Sequence, residues 1–126
     1  MDRSRYQVLL NQIATVAALK LSYDDGDLRI HGLSRGEEIV VELHFIDVLL
    51  LRIAPEGVRL KLQKELGEAH GLVLTDEQSK LIAWVFDEGM QTRDMSDAKH
   101  FLVLIGEEIV DVVSLAEPEI TVLQKQ

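Results

Sequence analysis

The feature that most constrains this chain lies in its last third. Two β-rich runs, residues 101–105 (FLVLI) and 108–114 (EIVDVVS), are separated only by Gly106-Glu107. That spacing is a tight hairpin, and Gly at the first central position suits a type II′ turn. A two-residue loop also sets register: Ile105 faces Glu108, Leu102 faces Asp111 and His100 faces Val113. The chain must therefore carry antiparallel sheet, which excludes a purely helical bundle.

Two charged residues interrupt runs otherwise suited to burial. Asp111 sits inside IVDVV, and Arg52 sits inside LLLRI. A carboxylate taken out of water costs several kcal/mol, on the order of its desolvation, unless a partner compensates it. An Arg52–Asp111 contact between adjacent strands would satisfy both. His100 and Asp111 are diagonal neighbours across the hairpin, within side-chain reach. A His–Asp pair is half of many acid/base sites, but the sequence shows no nucleophile beside it. A pair that pins strand register is the favoured reading.

Elsewhere the pattern alternates between helix and strand. In residues 4–19, Tyr6, Leu9, Leu10, Ile13, Val16 and Ala17 recur at three and four, which predicts a first helix capped by Asp2 or Ser4. Asp24-Asp25-Gly26-Asp27 and Ser34-Arg35-Gly36 are turns around a strand from Leu28. Residues 38–45 alternate Glu38, Val40, Glu42 and His44 with Ile39, Val41, Leu43 and Phe45, a second strand hairpinned to the first. Residues 47–53 read as a central strand covered on both faces. Residues 58–69 fit either period, with a lean to helix. Thr75 and Gln78 match a capping box for a helix over 76–88, which Gly89 would end. Residues 90–99 read as irregular, 119–122 as a short segment after Pro118, and 124–126 as a frayed tail. The expected architecture is one α+β domain over residues 1–126. It has a single antiparallel sheet of about five strands and two to three helices packed on one side.

Composition narrows the function. Acids number 22 against 13 bases, a net charge of −9. A phosphate backbone or an anionic membrane is bound through surplus Lys and Arg, so neither nucleic acid nor a membrane is an expected partner. Aromatics are 5% of residues, too few for a base-stacking platform. There is no cysteine, which removes disulfides, thiol nucleophiles and cysteine metal sites and agrees with a cytoplasmic location. The start, MDRSRYQVLL, lacks the pattern of a signal peptide, and apolar runs such as residues 48–51 are too short to cross a bilayer. No phosphate loop, dinucleotide fingerprint, nucleophile elbow or H-E-x-x-H is present. His31, His44 and Glu42 on the first hairpin make a conceivable metal site, with solvated imidazoles as the favoured alternative. No cofactor, metal or catalytic residue is expected. Trp84, the sole tryptophan, is expected half-buried on its helix and suits core packing, with a partner anchor as the alternative.

The run His100-Phe101, then Ile109-Val110-Asp111-Val112 and Glu117-Pro118 forms one set of landmarks. Arg52 followed by Glu56-Gly57, with Trp84 on the next helix, forms another. Together they resemble small bacterial α+β proteins of the toxin-immunity kind found in polymorphic toxin systems, over residues 20–122. The resemblance implies a cytoplasmic protein with no active site to carry over. The leading expectation is a non-enzymatic module that binds another protein, in its sharpest form an immunity-type inhibitor covering a basic partner. The alternatives are a ligand-binding domain or enzyme with a pocket near His100, Asp111 and Arg52, and a structural homo-oligomer. Arg52, Trp84, His100 and Asp111 are the candidate functional or structural polar residues.

Overall fold

The computed structural model describes residues 5–123. The proposed caps Asp2 and Ser4 and the tail 124–126 lie outside the described residues. Among the described residues, nine strands form two antiparallel sheets. The first sheet has the order β1(Tyr6–Leu10), β6(Val73–Asp76), β7(Lys99–Ile105), β8(Glu108–Ser114), β5(Val48–Pro55). The second has the order β2(Ala18–Asp24), β3(Asp27–Leu33), β4(Ile39–Phe45), β9(Glu119–Val122). The helices are α1(Leu60–Leu66), preceded by a 3-10 turn at Glu56–Val58, and α2(Lys80–Glu88).

The main core lies between the sheets. Leu28, Ile30, Val41, Leu43 and Phe45 from the second sheet meet Val73, Phe101, Val103, Ile105, Val110 and Val112 from the first. Phe45 and Phe101 meet edge to face with ring centroids 5.4 Å apart. A smaller cluster covers the opposite face of the first sheet, where Leu62 and Leu66 of α1 pack on Tyr6, Leu74, Leu102 and Ile109. That outer face carries the candidate site. The α+β class stands, but the single sheet is corrected to two. Alternation along a strand says which residues face inward; it does not say which sheet the strand joins.

The final hairpin has the register its short loop demands, with Ile105 opposite Glu108, Leu102 opposite Asp111 and His100 opposite Val113. Gly106 takes φ +61°, and a Cβ there would lie 2.9 Å from the carbonyl oxygen of Ala17. Gly106→Ala is therefore expected to cost about 2–3 kcal/mol, from left-handed backbone strain plus this close approach. Urea unfolding would read it; an unchanged midpoint would contradict it. The turn between β2 and β3 places Asp25 at φ 47° and Gly26 at φ 84°, the doubly left-handed pattern of a type I′ hairpin.

Four local expectations are corrected. Residues 4–19 contain no helix among those described; β1 is followed by an irregular segment leading to β2. The apolar residues that suggested a helical stripe are buried differently, with Leu10 packing against the core from the end of β1 and Ile13 and Val16 from this segment. β5 is an edge strand, not a central one. α2 starts one turn later than the capping box implied. Ser79 is its N-cap, accepting from the Ile82 N–H at 3.1 Å, while Thr75 lies in β6 and donates to Glu77. Gly89 has φ −83°, and the left-handed residues are Met90 and Gln91.

Candidate functional site

Alternation puts Tyr6, Asp76, His100, Asp111 and Arg52 on the outer face of the first sheet. The register sets Tyr6 opposite Asp76, and Asp111 opposite both Leu102 and Arg52. A polar diagonal therefore crosses the sheet beneath the two helices.

Asp111 is its centre and is fully buried. Its carboxylate accepts from His100 Nε2 at 2.7 Å, Arg52 Nε at 3.0 Å and an Arg59 terminal nitrogen at 2.6 Å. Burial alone would favour the neutral acid. The hydrogen bonds from His100, Arg52 and Arg59, with the nearby Arg59 charge, outweigh burial and hold the carboxyl well below the usual range. An ionised carboxylate only accepts, so Nε2 of His100 carries the proton. Nδ1 lies 2.7 Å from the Ser79 hydroxyl, and in the tautomer with the ring proton on Nε2 it accepts from that hydroxyl.

A second carboxylate lies alongside. Asp76 receives a two-pronged hydrogen bond from Arg5, at 2.8 and 2.9 Å, and sits 3.6 Å from His100 Nδ1. The bond to Asp76 is the main cause that raises the Arg5 pKa. The Arg5 guanidinium also stacks 5.0 Å from the centre of the Tyr6 ring.

These groups border a cavity of about 360 Å³ between α1 and α2. Arg5, Arg52, Arg59 and Lys80 line it, against the acids Glu65 and Asp76, and Tyr6, Leu62, Leu81 and Trp84 supply apolar wall. Arg52 spends its Nε on Asp111 and Arg59 spends one terminal nitrogen. Their other N–H groups, and the Lys80 ammonium, have no protein partner among the described residues.

All four candidate residues thus belong to one site. Arg52 and His100 line the cavity, Asp111 lies beneath it, and Trp84 is 51% exposed on its wall. Core packing of Trp84 is corrected, because α2 turns that residue toward the cavity mouth. The Arg52–Asp111 and His100–Asp111 contacts both form. Sequence reasoning missed Arg5, Arg59, Asp76 and Ser79. An acid two residues beyond the apolar run 72–74 was the available signal for Asp76. Arg59 lay in a stretch of ambiguous period, and Ser79 was hidden by the apparent capping box.

The first hairpin holds separate pairs instead of a metal site. His31 lies 3.2 Å from Glu42, which also binds Arg29, while His44 lies 3.1 Å from Asp27. Register places His44 opposite Arg29, not opposite His31. Among the described residues no three potential ligands converge to hold a metal ion. No helix among the described residues is long and apolar enough to cross a membrane. No protein-family model, curated protein or solved structure matches the chain, so the geometry of this site carries the functional argument.

Proposed function

We propose that this chain is a recognition module, and that the cavity between α1 and α2 binds a small molecule bearing a carboxylate or phosphate beside an apolar or aromatic body. One observation carries this reading. Two arginines anchored to a single buried carboxylate keep unspent N–H groups at a cavity also lined by Lys80, in a chain of net charge −9. Asp111 fixes both guanidinium groups before any ligand arrives, which lowers the ordering cost of binding. Planar guanidinium forks suit carboxylate and phosphate oxygens, and Trp84 and Leu81 offer surface for the rest of the ligand.

Calorimetric titration with inorganic phosphate, benzoate and phenyl phosphate tests this. Phenyl phosphate is expected to bind more tightly than inorganic phosphate, and Arg59→Gln to weaken it about tenfold or more, the worth of a charged hydrogen bond. Saturable binding should fade as salt rises. Absence of binding for all three anions at low salt would overturn the reading.

A protein partner is the second reading, in keeping with the resemblance to immunity-type proteins. Val58 and Leu60, on either side of Arg59, are 70% and 68% exposed, close in sequence to the cavity lining. Trp and Arg are enriched among the residues that carry interface energy, and Val58 and Leu60 would add apolar area beside them. A co-purifying partner released by Trp84→Ala would support it. A light-scattering mass of two chains, lost in the same variant, would identify that partner as a second copy.

A further inference from the structure

α2 has a cavity on each flank. Lys80, Leu81 and Trp84 face the cationic one, while Ser79, Ile82, Ala83 and Phe86 face a groove of about 620 Å³ that Met95 also lines. We propose that Ser79 is an acyl-transfer nucleophile, with His100 as its general base and Asp111 as the residue that orients His100. The substrates are esters with a short apolar acyl chain seated on Ile82, Ala83 and Phe86.

The relay is continuous. Ser79 Oγ lies 2.7 Å from His100 Nδ1, and His100 Nε2 lies 2.7 Å from Asp111 Oδ1. With the ring proton on Nε2, facing Asp111, the Nδ1 lone pair faces the serine hydroxyl. The roles are those of a Ser–His–Asp chain, with the ring reversed: Nδ1 meets the serine and Nε2 the aspartate. Asp76 lies 3.6 Å from Nδ1 and stabilises the imidazolium that forms when the ring takes a proton. Ser79 is partly exposed, whereas His100 is 5% exposed and Asp111 fully buried, so the nucleophile is more open to solvent than its base.

The position of Ser79 adds a second element. As N-cap of the nine-residue α2, its Oγ receives the Ile82 N–H at 3.1 Å. The first N–H groups of a helix lack intrahelical partners. They stabilise negative charge developing beside the cap.

In the first step Oγ bonds to the ester carbonyl carbon, its proton passes to Nδ1, and the carbonyl π pair becomes an oxyanion at the start of α2. Collapse breaks the bond to the alcohol oxygen, which takes the proton from Nδ1. Water then repeats the sequence on the acyl-serine, releasing the acid and restoring Ser79.

The relay shares His100 and Asp111 with the cationic cavity but acts on the other flank of α2, so anion titration and acylation can fail separately. The test uses the full chain with a fluorophosphonate probe and with p-nitrophenyl butyrate. One probe per chain is expected, mapped by peptide mass to Ser79, with a burst of p-nitrophenol before steady turnover. Ser79→Asn preserves a good N-cap and is expected to abolish labelling and lower hydrolysis at least about 100-fold, the usual scale of general-base assistance. Ser22→Ala, on the second sheet, should label like wild type. Wild-type protein left unlabelled where a known serine hydrolase labels fully, an adduct on another residue, or undiminished hydrolysis by S79N would each overturn the proposal. If S79N does not fold, the mapped site on the wild-type chain still decides.

Discussion

Asp111→Ala is expected to destabilise the protein by about 3–5 kcal/mol, the cost of leaving a buried ionic cluster without one partner. Arg59, His100 and Arg52 all donate to this one carboxylate. Removing it leaves a largely buried guanidinium and a buried imidazole without their shared acceptor. Arg52→Ala should cost only about 1 kcal/mol, because that side chain is 47% exposed and exposed ion pairs contribute little; Arg59 and His100 would still hold Asp111. The two single variants therefore differ severalfold, and equal destabilisation would refute a carboxylate-centred network. Acid supplies an independent check. The folded-state pKa of Asp111 lies below its unfolded value, which is about 3.9 for an unperturbed Asp. The stabilisation is fully present above the unfolded value and is lost as pH falls through the folded one. Wild type should thus lose stability progressively below about pH 5, and Asp111→Asn should flatten that decline. Parallel curves of urea midpoint against pH would contradict this assignment.

Phe101→Ala is expected to cost about 3–5 kcal/mol, as for large-to-small changes of buried aromatics. The ring is fully buried at the junction of the two sheets and meets Phe45 edge to face. With three phenylalanines in the chain, the surrounding Val, Leu and Ile side chains have little freedom to fill the space. Because the core binds both sheets, unfolding should remain one transition in circular dichroism and in Trp84 fluorescence. A loss below about 1 kcal/mol, smaller than that of a typical core truncation, would show that the sheets do not depend on this contact.

Much of the candidate site was legible because a two-residue loop leaves no freedom of register. Gly106-Glu107 placed His100 diagonally across from Asp111, and the anomalous charge in LLLRI pointed to Arg52 as a partner on a neighbouring strand. Residues 4–19 misled for a physical reason. Spacings of three and four describe a helical stripe, but an irregular segment crossing from one sheet to the other also turns scattered apolar residues inward. Ile13 and Val16 do so here. The same limit applied to residues 47–53: continuous apolarity reads as burial on both faces, whereas β5 lies at a sheet edge.

Local sequence determined the closing hairpin, the β2–β3 turn and the need to compensate Asp111, because each depends on backbone geometry or desolvation over a few residues. Tertiary structure alone decided the number of sheets and the convergence of Arg5, Arg59, Asp76 and Ser79 on His100 and Asp111. Arg5 and Asp76 are 71 residues apart in sequence yet share a two-pronged hydrogen bond. Contacts of that range depend on which strands become neighbours, and pairing of strands is set by the total burial of both cores, a property no short segment carries.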